Sequence, residues 1–447
     1  MSIDVELDAA RAWSPLIARY FAQFDRVTPH EVDRAAQWAA NSSMFKATAS
    51  WRLKVIAGAP WLHLIRVHSH WAERTNVLRL ILLALERVSS LPDFELVYVH
   101  NDVDPAPRPS LPLFTNARHT EKVGGLPLPD FTWLGWRETP PWCQVAASLS
   151  TEALRHPWHS RDERAFFSGG LDNGRDRKAL RQLYHSSSAA REALLVRDVE
   201  AGKWFRWGQW DTSNRSGALP AKLPALPPQA ACRHKFALSL PGFGYSSRLR
   251  ALLACGALVV HLQHDDNEFF MPALQDGEHL VVLRGRDAIK RKLLPTLERL
   301  RQDPKSAERI ADAGRRFAQR WLRHDAIVQY VSSLLAAYAS RFRGAVTLPP
   351  GYVQLRVGNA EAAGKQLQDA TGLCRCFRRR PDGSNATYSD WRRLRWAGEV
   401  CMAQGAGQRC RPWAPPGGGR CFAPKCCHGF DCGSRALGCP GGHSVQS

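Results

Sequence analysis

The chain has 447 residues, 44% of them hydrophobic and 23% charged, a composition ordinary for a soluble globular protein and a length that allows two or three domains. No apolar run reaches the roughly 20 residues that a membrane-spanning helix needs, so a spanning helix is excluded. The net charge of +20 favours anionic partners: sugar nucleotides, acidic glycans, nucleic acid or a membrane surface. A GC-rich coding sequence gives the same arginine excess without functional pressure.

The opening MSIDVELDAARAW has no basic region followed by an apolar one, so no signal peptide is read there. Taken alone it describes a cytosolic chain, and a sequence that had lost its leader would read the same. Thr28-Pro29-His30-Glu31 is a helix start, with a threonine cap, proline at the first position and glutamate at the third. The helix is expected through Val32 to Ala40. Strands follow at Trp51–Ile56 and Trp61–Val67. Asn76 to Val88 carries Val77, Leu78, Ile81, Leu82, Leu85 and Val88 at helical spacing. A strand at Phe94–Val99 then ends in His100-Asn101-Asp102-Val103-Asp104-Pro105. Strand, helix and strand in alternation predict a parallel sheet wrapped by helices.

Residues 105 to 145 are rich in Pro and Trp and read as a long functional loop region. A second alternating unit begins at Ala165-Phe166-Phe167 and continues to about Gly285, with a polar insert at Ser186–Ala190 and a Pro-rich connection at Leu219–Pro228. Three helices are expected to close it: Asp287–Arg301, kinked or divided by Pro295, then Pro304–Trp321 and Asp325–Arg341. From Gly344 the composition changes to arginine, glycine and cysteine, which reads as a poorly structured tail. Nine of the twelve cysteines lie after residue 373, and the other three, Cys143, Cys232 and Cys255, do not suggest a disulfide framework. The cluster Cys421, Cys426, Cys427, His428, Cys432, Cys439 and His443 has ligand types that suit zinc, but not a CxxC…CxxC spacing.

In an open parallel sheet, ligands bind beyond the carboxyl ends of the strands. Three features fall there. Asp102 and Asp104 follow the Phe94–Val99 strand, as a general base or as a solvated turn ahead of Pro105. Ser168-Gly169-Gly170 runs into a helix that starts near Arg177, whose guanidinium suits a phosphate or the surface. Gly242-Phe243-Gly244-Tyr245-Ser246-Ser247-Arg248 joins an apolar strand to a helix. The next strand, Ala257–Leu262, leads to Glu268. Glycine lets backbone approach phosphate oxygens, Ser246 donates a hydrogen bond, Arg248 offers a charged fork, and Glu268 suits ribose hydroxyls. No GxSxG elbow in a strand-turn-helix setting, HExxH or Walker sequence is present.

Together these stretches resemble the protein O-glucosyltransferase family, which includes capsule-associated and lipopolysaccharide-modifying glycosyltransferases. Pro92-Asp93-Phe94-Glu95-Leu96 leading to Asp104-Pro105 resembles its strand ending in the catalytic aspartate. Pro129-Asp130-Phe131-Thr132-Trp133 with Trp136 resembles its aromatic acceptor-side loop. Ala165-Phe166-Phe167 with Gly169 and Arg177 resembles its FRG…R segment. Gly242 to Arg248 resembles its G-x-x-x-S-x-R loop, and Glu268-Phe269-Phe270 with His279 its E-F-F…H motif. Ala311 to Leu322 resembles its penultimate helix. The likeness covers roughly residues 12 to 342.

The resemblance implies an α/β, GT-B-like fold: a Rossmann-like acceptor-side domain over 1–150 and a Rossmann-like UDP-sugar domain over 151–322. A final helix over 323–343 would cross back, and 344–447 would be a low-complexity tail. It implies inverting transfer from a UDP-sugar, glucose or xylose, to a hydroxyl of a protein or glycan, without a metal or other cofactor. Asp104 would be the base. Arg177, Ser246 and Arg248, with Gly242 and Gly244 shaping the loop, would hold the diphosphate, and Glu268 the ribose or sugar hydroxyls.

Two positions depart from the family pattern. Ser168 stands where many relatives carry arginine, leaving one phosphate contact missing or supplied by Arg175. Asp102 competes with Asp104 for the role of base. An inactive relative that binds glycans or proteins is therefore the rival reading. No specific nucleic-acid binding is expected, since +8 of the charge (14 basic less 6 acidic residues) follows residue 345 and no recognition module is seen. The resemblance implies the secretory lumen, endoplasmic reticulum or Golgi, with membrane association only through a missing leader. N-x-S/T sequons stand at Asn41, Asn214 and Asn385.

Overall fold

The computed structural model describes residues 13–42, 49–66, 76–88, 90–101, 103–104, 111–119, 124–135, 140–199, 226–358, 401–402 and 411–412. Two compact units divide the chain. One takes Phe24–His100, Leu111–Phe114 and Leu334–Ser447; the other takes Met1–Gln23, Asn101–Ser110 and Thr115–Ser333.

In the first unit the helix Pro29–Asn41 begins with the expected capping box. The Thr28 side chain accepts from Glu31 N, and the Glu31 carboxylate accepts from Thr28 N at 2.8 Å. Its buried stripe is Val32, Ala35 and Ala39. Strands β1 (Ala49–Ile56) and β2 (Ala59–Arg66) form an antiparallel hairpin, not the parallel arrangement that alternation predicted. The reason is local. Ala57 and Gly58 both take positive φ, 49° and 76°, and a two-residue turn of that hand reverses the chain at once.

Strand β3 (Phe94–His100) pairs with the other side of β1, again antiparallel. Thus β2 and β3 run parallel to each other across β1, and the helix Asn76–Arg87 makes the crossover between them. The alternation rule holds for that pair and fails for the strand lying between. Across the β1–β3 ladder the buried Glu95 carboxylate takes Lys54 Nζ at 2.7 Å and Arg52 Nη2 at 2.6 Å. The outer edge of β2 is occupied by Val353–Gln354, and Leu355 beside it is buried. The expected unstructured tail therefore starts too early at residue 344. Strand β4 (Leu113–Thr115) lies within the segment read as loop. The Cys/His cluster from 421 to 443 lies outside the described residues.

In the second unit the first described helix covers 13–21. Two-residue strands β5 (Arg118–His119) and β6 (Leu126–Pro127) and the helix Trp142–Arg155 also lie in or overlap the expected long loop. The sheet that follows is fully parallel: β7 (Ala165–Gly169), β8 (Leu194–Asp198), β9 (Phe236–Ser239), β10 (Leu258–Leu262), then, after the two-residue β11 (Asp266–Asn267), β12 (Val281–Leu283). Its spatial order is β12-β10-β9-β7-β8. This is the doubly wound order in which the second strand lies outside the first. Phe236, Leu238, Leu258 and Val260 pack in one core with Leu293, Leu297 and Ile310.

The polar insert near Ser186 contains a further short helix, Ser188–Ala193, capped by Ser187. The first closing helix is divided at Lys292, into Ala288–Arg291 and Leu293–Gln302. Pro295 then sits in a first turn, where its missing N–H is not needed. Cys232 and Cys255 form a disulfide, against the expectation from their scattered positions; they are 23 residues apart in sequence but meet beside one helix end.

Candidate active site

The direction of winding reverses between β7 and β9. From β7 the chain moves out to β8, then returns past β7 to β9 and onward to β10 and β12. Ligands of such sheets bind in the crevice beyond the carboxyl ends of the two strands at the reversal. Here those ends carry Ser168-Gly169-Gly170 and Leu240-Pro241-Gly242.

Two guanidiniums converge on this point, Arg177 buried and Arg248 partly buried. Arg177, in the first turn of the helix Arg175–Ser186, donates through Nη2 to Leu240 O at 3.1 Å and through Nη1 to Gly170 O at 3.4 Å. Its Nε has no partner. Arg248 donates to Ser168 O, and its Nε lies 3.4 Å from Ser246 Oγ. Its guanidinium carbon stands 5.0 Å from the Phe167 ring centre. A Cβ on Gly169 would overlap Arg248 Nη1, so any side chain there would have to displace that guanidinium.

Neither arginine has a carboxylate partner among the described residues. Burial, with Arg248 nearby, pushes Arg177 down to about 9; burial alone pushes Arg248 down to about 10. The helix beginning at Arg175 has no side-chain cap, and its cap residue Gly174 has φ 97°. The sequence thus brings together Arg177, Gly242, Ser246 and Arg248. Gly242 N donates to Gly244 O at 3.1 Å, which closes the turn and leaves Phe243 exposed. Arg175 points elsewhere: its side chain is largely exposed, 3.6 Å from Asp176.

Glu268 occupies a second cluster. It is 1% exposed, and neither carboxylate oxygen has a hydrogen-bond partner. Burial raises its carboxyl to about 8; Arg250 lowers it and Asp130 raises it. Arg250 Nη1 lies 3.8 Å from Glu268 Oε1 and 3.7 Å from Asp130 Oδ1, and Nη2 donates to Thr132 Oγ1 at 2.5 Å. The guanidinium carbon is 4.0 Å from the Trp133 ring centre. Asp130 also accepts from Tyr245 OH at 2.9 Å, which ties the phosphate-type loop to the aromatic segment 130–134.

Glu268 lines a cavity of about 230 Å³ whose other polar lining includes Arg19, Arg118, His261, Gln263 and Asn267. His261 is held near 4 by burial and by His264, so it is a neutral imidazole there, 3.1 Å from Ser239 Oγ.

Asp104 is held by backbone. Its Oδ2 accepts from His119 N at 2.9 Å and Gly125 N at 3.3 Å, and its own N–H donates to Asp266 Oδ1 at 2.8 Å. Asp102 lies outside the described residues. Arg250, Asp130 and Tyr245 were not singled out as site residues from sequence, although Arg250 stands two positions from Arg248 and Asp130 opens an aromatic run that was.

Among the described residues, no group of three His, Cys, Asp or Glu is arranged to hold a metal ion, and no helix is long and apolar enough to cross a membrane. An α/β chain with this ordered set of motifs defines a class of sugar-transferring enzymes. Residues 31–376 match glycosyl transferase family 90, and the chain belongs to that family. Its relatives narrow the resemblance. It is 26% identical to protein O-glucosyltransferase 1 of Homo sapiens over 284 residues, which cover 61% of this chain and 68% of that protein. It is 28% identical to the O-glucosyltransferase rumi homolog of Aedes aegypti over 198 residues, 44% of this chain and 46% of the relative. The Drosophila melanogaster O-glucosyltransferase rumi is 24% identical over 197 residues.

Proposed function

We propose that this chain transfers glucose or xylose from a UDP-sugar to a hydroxyl of a protein or glycan, with inversion at the anomeric carbon. The observation that carries this reading is the pair of carboxylate-free guanidiniums, Arg177 buried and Arg248 partly buried, at the reversal point of a parallel sheet. An isolated buried cation is costly to fold around, and a diphosphate offsets that cost. Ser246 and the uncapped helix start add hydrogen-bond donors. Glu268 and the cavity beside it take the ribose and sugar hydroxyls, which its unpartnered oxygens suit.

In the transfer, Asp104 accepts the proton of the acceptor hydroxyl as that oxygen attacks the anomeric carbon. The carbon–oxygen bond to UDP breaks on the opposite side, and the electron pair leaves on the diphosphate. Charge developing there is met by Arg177 and Arg248, so no metal or other cofactor enters the proposal. The GT-B reading assigns 1–150 to the acceptor side, 151–322 to the donor side and 323–343 to a returning helix. The compact units divide the chain differently, taking 1–23, 101–110 and 115–150 together with 151–322, and the helix His324–Ala339 is shared between the two. The Cys232–Cys255 disulfide supports a secretory lumen as the working compartment.

The test is UDP release with a panel of UDP-sugars and an O-glucosylation acceptor peptide. UDP binding with no turnover from any donor would sink the transferase reading and leave a glycan- or protein-binding relative. Asp104→Asn should lower kcat by about 10²–10⁴-fold, leaving a measurable residue, while UDP affinity stays within about twofold.

A further inference from the structure

We infer that Gly124 and Asp266 are positioning residues for Asp104, acting through the short β5–β11 ladder. The inference rests on the reading of Asp104 as the base. In the ladder Arg118 pairs with Asn267 and His119 with Asp266, antiparallel. Asp104 is pinned to both strands: its carboxylate accepts from His119 N on β5, and its N–H donates to Asp266 Oδ1 on β11.

The Gly124-Gly125 turn closes the third side. Gly125 N reaches Asp104 Oδ2 at 3.3 Å, while Arg118 Nη1 donates to Gly125 O at 2.8 Å and to Gly124 O at 3.3 Å. Gln23 Nε2 donates to Gly124 O as well, at 2.6 Å. A Cβ on Gly124 would overlap Asp104 Oδ2 and come within 3.2 Å of Arg118 Cγ. Only a residue without a side chain lets the turn approach the carboxylate this closely. Asp266 and Asn267 lead directly into Glu268, and Tyr20, whose ring lies 5.0 Å from the Arg118 guanidinium carbon, donates to Phe269 O at 2.7 Å. The base and the Glu268 segment are therefore held by one hydrogen-bonded ring.

The experiment compares Gly124→Ala, Asp104→Asn and the double variant in a UDP-release assay, with UDP affinity and Tm measured on each. A displacement of the base by about 1 Å costs on the order of 100-fold in kcat. Gly124→Ala should lose that much in kcat with donor KM within about twofold, and should add nothing in the Asp104→Asn background. Asp266→Ala should lower kcat, while Asp266→Asn, which keeps an acceptor oxygen for Asp104 N, should restore most of it. A slowed Asp104→Asn beside a fully active Gly124→Ala would overturn the positioning role alone. Losses that multiply in the double variant, or equal losses in both Asp266 variants, would also overturn it. A fully active Asp104→Asn would overturn the base assignment and this inference with it.

Discussion

Replacing Arg177 by methionine removes a buried charge while keeping much of the side chain's volume. The guanidinium is pushed down to about 9 by burial beside Arg248. Relative to an ordinary arginine, at roughly 1.4 kcal/mol per pH unit, that depression is a folding penalty on the order of 5 kcal/mol. An arginine with a depressed folded value is charged in both states at neutral pH, so the penalty is fully present there. It is relieved only as pH rises through about 9. Against this, methionine leaves the carbonyls of Leu240 and Gly170 without these donors, at about 1 kcal/mol each. The expected net gain is about 3 kcal/mol for the ligand-free protein. That is about 6–12 °C in Tm for a cooperative unit of this size. The same change should erase most of the stabilisation by UDP, which for the unaltered protein is about 2.7 kcal/mol at a hundred times Kd. Calorimetric scans with and without UDP read both effects. A variant that melts lower without nucleotide, or responds to UDP as the parent does, would refute the reasoning.

Glu268→Gln is expected to flatten the dependence of stability on pH. Burial raises the carboxyl to about 8, so the stability it contributes is complete below the ordinary glutamate range and is lost as pH rises through about 8. Urea midpoints at pH 5 and pH 8.5 should differ less in the variant; unchanged spacing rejects the assignment. Tyr245→Phe removes the 2.9 Å bond to Asp130 and should cost about 1 kcal/mol, with UDP affinity falling about fivefold. An unchanged affinity in isothermal titration would separate the loop from the aromatic segment. Thr28→Ala should lower unfolding free energy by about 1 kcal/mol through loss of the capping box, with UDP affinity untouched.

Much of the parallel sheet was legible because its strands are short apolar runs bounded by glycine and proline. Leu258–Leu262 falls within a residue of the expected Ala257–Leu262. The helix Pro29–Asn41 was legible through its cap, and Asn76–Arg87 through its apolar spacing. The hairpin at Ala57-Gly58 was not legible, because an alanine at positive φ carries none of the Asn, Asp or Gly signal that such a turn usually shows. Within the candidate site, charge and glycine pattern pointed to Arg177, Ser246 and Arg248, which do converge. Arg250 escaped because its partners, Asp130, Thr132 and Glu268, lie far away in sequence. The Gly124 requirement also depends on a carboxylate twenty residues distant, and no local pattern carries that information.

The Cys232–Cys255 bond has a consequence for how the molecule is made. It closes a covalent ring around β9, the Gly242–Arg248 turn and the helix Leu249–Ala254, so the whole backbone on one side of the anion cradle lies inside it. Chains assembled under reducing conditions share the amino-acid sequence but not that ring. UDP affinity is then expected to differ between preparations with different redox histories, because the turn carrying Ser246 and Arg248 loses a covalent constraint.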